Sequence, residues 1–149
     1  MKKTLIILSF IVSSHCDAKD LKTDWQFFSI RNYFMNKPCS SENVRLAIDL
    51  AGIQHAEIVF KQAILESGHF RSHIARHNNN LFGMKLARRR TTLAVGVSSG
   101  HAVFLFWIDS VLDYKIWQGD KAIVDYYDYL TQRGYNPCKT YSKRLMPRK

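Results

Sequence analysis

The chain has 149 residues, enough for one domain with one sizeable core and not for two. Its formal net charge of +10 points to an anionic polymer as partner, whether cell wall, nucleic acid or membrane surface, and does not choose among them. Beyond the first residues no stretch is long and apolar enough to be a transmembrane helix.

Lys2 and Lys3 precede an apolar run, Leu5 to Val12, interrupted only by Ser9, and small or polar residues follow to Cys16-Asp17-Ala18. This is the layout of a secretory signal peptide over residues 1–18, too short to span a bilayer. A lipoprotein signal ending at Cys16 fits less well, because the bulky His15 stands where a small residue is expected. Removal of residues 1–18 takes away Lys2, Lys3 and Asp17 and lowers the charge to +9. The expected location is therefore periplasmic or secreted, which argues against nucleic acid as the partner. Cys39 and Cys138 then remain as an even pair, for which an oxidising compartment permits a disulfide.

Residues 19–41 read as a polar leader followed by an aromatic strap with Trp25, Phe27, Phe28, Tyr33 and Phe34. Lys37-Pro38-Cys39-Ser40-Ser41 is a turn able to cap a helix from about Glu42 that carries Val44, Leu46, Ile48 and Leu50 and stops at Gly52. A second helix fits His55 to Ser67, with Gly68 placed to end it. His77-Asn78-Asn79-Asn80 is loop material. Thr91 to Val97 and His101 to Trp107, around Ser98-Ser99-Gly100, predict a β-hairpin. Asp109-Ser110 can cap a helix bearing Val111, Tyr114 and Trp117. After Gly119-Asp120, a last helix carries Ile123, Tyr126, Tyr127 and Leu130. The outline is α+β, mainly helical, with one small hairpin beside a cleft.

Glu66 is the first candidate for chemistry. It follows Ala63 by three residues and Val59 by seven, so it shares their helix face, whereas Glu57 and Lys61 lie round the helix. An acid on an apolar stripe is costly to ionise unless paired. A carboxylic acid kept protonated is what glycosidic cleavage needs to protonate the leaving oxygen. Periodicity alone favours a helix-end glutamate tied to Arg71 or Arg76.

The segment Gln62-Ala63-Ile64-Leu65-Glu66-Ser67-Gly68, then Ser72 and Ile74-Ala75, then Asn79-Asn80-Leu81-Phe82-Gly83-Met84-Lys85, resembles the glucosaminidase family, glycoside hydrolase family 73, of bacterial autolysins and flagellar peptidoglycan hydrolases. Ser110-Val111 with Asp113-Tyr114 also matches the family pattern, and the likeness runs from about Val44 to Leu145. The resemblance implies a lysozyme-like α+β fold over a domain at 42–149. The implied activity is hydrolysis of the bond between N-acetylglucosamine and N-acetylmuramic acid by a cofactor-free, metal-independent monomer acting on peptidoglycan strands. By the same resemblance Glu66 is the general acid, while Asn80 fixes the loop or a sugar and Phe82 packs beneath the groove.

One departure stands out. Hydrolysis commonly uses two carboxylates, and many family members carry the second in the hairpin, yet no Asp or Glu lies between Glu66 and Asp109. Asp109 and Asp113 read rather as helix-start residues. Either the substrate's N-acetyl group assists, or a tyrosine polarises the site. Tyr141 best matches the family's late tyrosine and Tyr135 is the second choice, each with buried structure as its alternative. His69, His73 and His77 are spaced four apart, but no Glu follows the first and Gly68 interrupts the helix, so no metal site is expected. Arg88-Arg89-Arg90 reads as a solvated basic turn. The competing readings are a muramidase or lytic transglycosylase of similar fold, and a catalytically weak wall-binding protein that keeps the groove.

Overall fold

The computed structural model describes residues 18–134. The leader and the aromatic strap form one helix, α1 (Ala18–Phe34). Phe27, Ile30 and Phe34 follow the three-and-four spacing of a single helical stripe, and that stripe faces the core. Trp25, Phe28 and Tyr33 fall off the stripe and are exposed, Trp25 stacking on Phe28.

Ser40 starts α2 (Ser41–Leu50), its hydroxyl accepting the Asn43 N–H at 3.3 Å. The buried residues are Val44, Ala47 and Ile48, while Leu46 and Leu50, the other apolar residues of this helix, are exposed. Residues spaced by two cannot share a helix face, whereas 44, 47 and 48 can. The next helix, α3 (Ala56–Glu66), opens at His55 and buries Val59, Gln62 and Ala63. Ser67 closes it by donating to the Ala63 carbonyl and accepting the Phe70 N–H at 2.8 Å. Gly68, His69 and Phe70 all have positive φ, a left-handed turn that leads to the short α4 (His73–His77), capped by Ser72. This short helix was not foreseen in the sequence.

The hairpin pairs β1 (Gly96–Ser98) with β2 (His101–Val103), Val97 opposite Ala102. Ser99 and Gly100 both have positive φ, as a tight two-residue turn between right-twisted strands requires. Its strands are shorter than the sequence suggested. Thr92 and Leu93 are drawn instead to the Asp113 carboxylate, and Trp107 opens the next helix, α5 (Trp107–Gln118). Asp109 and Ser110 lie within the first turn of α5, where the Asp109 carboxylate accepts the Phe106 N–H at 3.1 Å. The last helix, α6 (Tyr126–Gln132), is capped by Asp125, which accepts the N–H groups of Tyr127 and Asp128.

Helix α5 is the centre of the molecule. Ile108, Val111, Leu112 and Tyr114 are fully buried, with α1 and α2 packed against it. The architecture is α+β and lysozyme-like, helices enclosing one core with the small hairpin at the side. No helix among the described residues is long and apolar enough to cross a membrane.

Candidate active site

Glu66 ends α3 at the edge of an open cleft of about 470 Å³. One wall is the extended segment Phe82 to Ala87 with Arg90, and the other is formed by Trp117, Arg133 and Gly134. Glu66 is half-buried, and it is the one carboxylate among the described residues that line this cleft. Neither Arg71 nor Arg76 pairs with it, nor does any other cation among the described residues. The structural alternative of a helix-end ion pair therefore has no partner there.

The facing wall comes close because of Gly83. Its φ is +62°, and a Cβ at this position would stand 3.6 Å from Glu66 Oε2. The left-handed backbone favours glycine there, and the missing side chain keeps the space beside the carboxylate open.

Three consecutive asparagines hold that wall. Asn78 donates to Ser98 O, and Asn79 to Phe104 O and Leu105 O. Asn80, fully buried, donates from Nδ2 to Met84 O and Ala102 O at 2.9 Å and accepts the Met84 N–H at 3.0 Å. Of the two roles open to it, fixing the loop or a sugar, the amide of Asn80 takes the loop. The Ala102 N–H donates to Met84 O, so β2 is bound on its free edge by the same segment.

Phe82 is buried beneath the cleft with its ring 4.3 Å from that of Tyr114. Gln62, one turn before Glu66, lies under both. Its Oε1 lies 2.9 Å from the Tyr114 phenol oxygen and 3.1 Å from that of Tyr126, and the two phenols also contact each other, so their two protons serve three contacts. Burial pushes the Tyr126 phenol well above the usual tyrosine range. This node was missed in the sequence, where Gln62 read only as part of a motif and the two tyrosines as helix-face residues.

Asp109 accepts two bonds from Arg31 on α1, at 2.6 and 3.2 Å. Asp113 is not a helix-start residue: it sits mid-α5, almost fully buried, and accepts from Arg90 twice, from Thr92 Oγ1 and from the Leu93 N–H. Neither lines the cleft. Arg90 is thereby a bound residue and not part of a solvated turn, unlike the exposed Arg88 and Arg89. His73 and His77 stack at 4.1 Å, and no three potential ligands gather for a metal among the described residues. Cys39 is half-buried and its thiol is pushed up to about 12 by burial. Tyr135, Tyr141, Cys138 and the signal segment lie outside the described residues. Trp117 and Arg133 were not singled out as cleft residues beforehand. Trp117 repeats three residues after Tyr114, but nothing in that spacing tells a cleft wall from a core.

The family model Glucosaminidase, described as mannosyl-glycoprotein endo-β-N-acetylglucosaminidase, matches residues 42–147. The chain belongs to the glucosaminidase family. This glucosaminidase is thus a glycoside hydrolase and, in general terms, a peptidoglycan hydrolase. No curated protein and no solved structure matches it.

Proposed function

We propose that this glucosaminidase is an exported endo-β-N-acetylglucosaminidase that cuts the bond between N-acetylglucosamine and N-acetylmuramic acid in peptidoglycan, with Glu66 as general acid. The observation that carries the reading is Glu66 itself, a half-buried carboxylate at a helix end with no ion-pair partner among the described residues, close beside Gly83 at the edge of an open cleft of about 470 Å³. Glu66 delivers its proton to the leaving oxygen as the C1–O bond breaks.

Asp109 and Asp113 are committed to Arg31 and Arg90, and residues 135–149 contain no Asp or Glu. In this reading the substrate supplies the second group. The acetamido oxygen attacks C1 as the bond breaks, and water then opens the cyclic intermediate while returning a proton to Glu66. Phe82 floors the sugar site, and Asn80 acts through the loop it holds. The alternative to substrate assistance is a polarising tyrosine, for which the family resemblance points first to Tyr141 and then to Tyr135.

The test is digestion of purified wall by wild type and Glu66→Gln, with mass spectrometry of the products. New reducing-end glucosamine from wild type alone is expected. Anhydro-muramic ends would make the enzyme a lytic transglycosylase, and reducing-end muramic acid a muramidase. The absence of a second carboxylate from the described cleft also favours one rival, a wall-binding protein of weak activity. Equal inertness of both proteins, with wall still pulled down, would establish that rival.

A further inference from the structure

The charges around Glu66 do not balance. Among the described residues three cations line the cleft: Lys85, Arg90 and Arg133. Arg90 is neutralised by Asp113 at 2.7 Å. Lys85 and Arg133 are exposed, and neither has a carboxylate partner among the described residues. Lys85 belongs to the wall that faces Glu66, its ammonium reaching toward the hairpin turn, where a Cβ on Gly100 would stand 3.7 Å from Nζ. Arg133 stands on the opposite wall, its guanidinium over the rings of Trp117 at 5.7 Å and Tyr129 at 5.3 Å. The rings and a hydrogen bond to the Tyr129 phenol hold the guanidinium in place, and with five N–H donors it keeps others for an anion.

A proton donor must be neutral when it acts, so in the reacting state Glu66 contributes no charge, and the described lining carries two cations, Lys85 and Arg133, without a carboxylate partner among the described residues. A neutral polysaccharide would leave both uncompensated. A glycan with carboxylates on alternate sugars would compensate both.

Resting on the proposed hydrolysis of wall glycan, we infer that Lys85 and Arg133 are specificity-determining residues that read carboxylates hung on the substrate, and so select acid-bearing glycan over neutral N-acetylglucosamine polymer. The carboxylates are those of the lactyl ether or of a peptide stem attached through it. Both residues act on binding and take no part in proton transfer. The preference is electrostatic, so it weakens as salt rises.

The experiment measures binding to the full chain carrying Glu66→Gln, which keeps the ligand intact. Three probes are titrated calorimetrically at low and at raised salt: a peptidoglycan tetrasaccharide with its stems, the same molecule with every carboxylate methyl-esterified, and chitotetraose. The parent is expected to prefer the free acid over its ester by roughly 10- to 100-fold at low salt, a preference that shrinks as salt is added. Adding Lys85→Gln and Arg133→Gln should bring the ratio to within about 3-fold and leave chitotetraose affinity unchanged. Circular dichroism checks that each variant is folded.

A parent without preference for the acid overturns the inference, as does a double variant that retains the preference. Equal loss on all three probes also overturns it, because the two residues would then shape the cleft and not read charge. Wild-type digestion of wall is scored separately, so failure of the hydrolase reading is seen as intact wall and not as a lost preference.

Discussion

Replacing Asp113 by Asn asks whether this buried acid serves the reaction or the fold. Its two oxygens accept four bonds, two from Arg90, one from Thr92 and one from the Leu93 N–H. An amide in the same place keeps one accepting oxygen, sufficient for Thr92 and Leu93. Its NH₂ group then faces the Arg90 guanidinium, donor against donor, and the charge pairing is gone. Breaking a buried pair by removing one partner costs about 3–5 kcal/mol. Arg90 keeps some access to water, with 22 % of its side chain exposed against 1 % for Asp113, and partial solvation lowers the expected loss to about 2–3 kcal/mol. For a chain of this size that is a fall in Tm of roughly 5–10 °C. Urea unfolding followed by fluorescence and a wall-clearing assay well below the new Tm together decide the matter. The expected result is the stability loss with folded-state activity reduced less than about 10-fold, since Arg90 and its loop still line the cleft. A variant as stable as wild type but more than about 100-fold slower would refute the structural role and make Asp113 the missing second acid.

Glu66→Gln should lower wall cleavage by about 100- to 10,000-fold, as removal of a general acid does, while Tm stays within about 2 °C because no ion pair among the described residues is lost. Asn80→Ala removes three buried hydrogen bonds and should destabilise the protein by about 2–4 kcal/mol, read as a lower urea midpoint at unchanged slope. Gly83→Ala meets no clash at 3.6 Å, so its cost is the left-handed backbone alone, about 1–2 kcal/mol, with crowding of Glu66 seen as reduced cleavage. On the alkaline side, burial raises Cys39 to about 12 and also raises Tyr126 above its usual range. Both then bind protons in the folded chain that the unfolded chain has released, so stability should fall as pH rises from about 9 upward. Thermal melts between pH 7 and 11 should show this slope, and it should flatten in Tyr126→Phe.

Periodicity served well where a helix has one clear face. The stretch from His55 to Ser67 was legible because Val59, Ala63 and Glu66 fall on one stripe, and the hairpin turn because Ser99-Gly100 has few other uses. It served poorly at α2, where Leu46 and Leu50 are apolar yet solvent-facing. Nothing local distinguishes an exposed leucine from a core one when Val44 and Ile48 alternate with it. The cleft was half legible. Glu66 and its wall lie in two short motifs close in sequence, whereas the opposite wall, Trp117 and Arg133, joins only after α5 and α6 have turned back on the core. Asp113 was misread because its partners, Arg90, Thr92 and Leu93, are twenty or so residues away in an irregular loop that carries no periodic signal.

The contact between Arg31 and Asp109 separates two boundaries usually taken as one. The family match begins at residue 42, but the cation that satisfies Asp109 is supplied by α1, eleven residues earlier in the chain. A fragment opened at Ser41 would keep every motif while leaving a buried carboxylate without its cation at the head of the central helix and uncovering the groove that Ile30 and Phe34 fill. The unit of homology is therefore smaller than the unit of folding. In this protein the residues before the recognisable domain are what allow its longest-buried helix to begin with a charge.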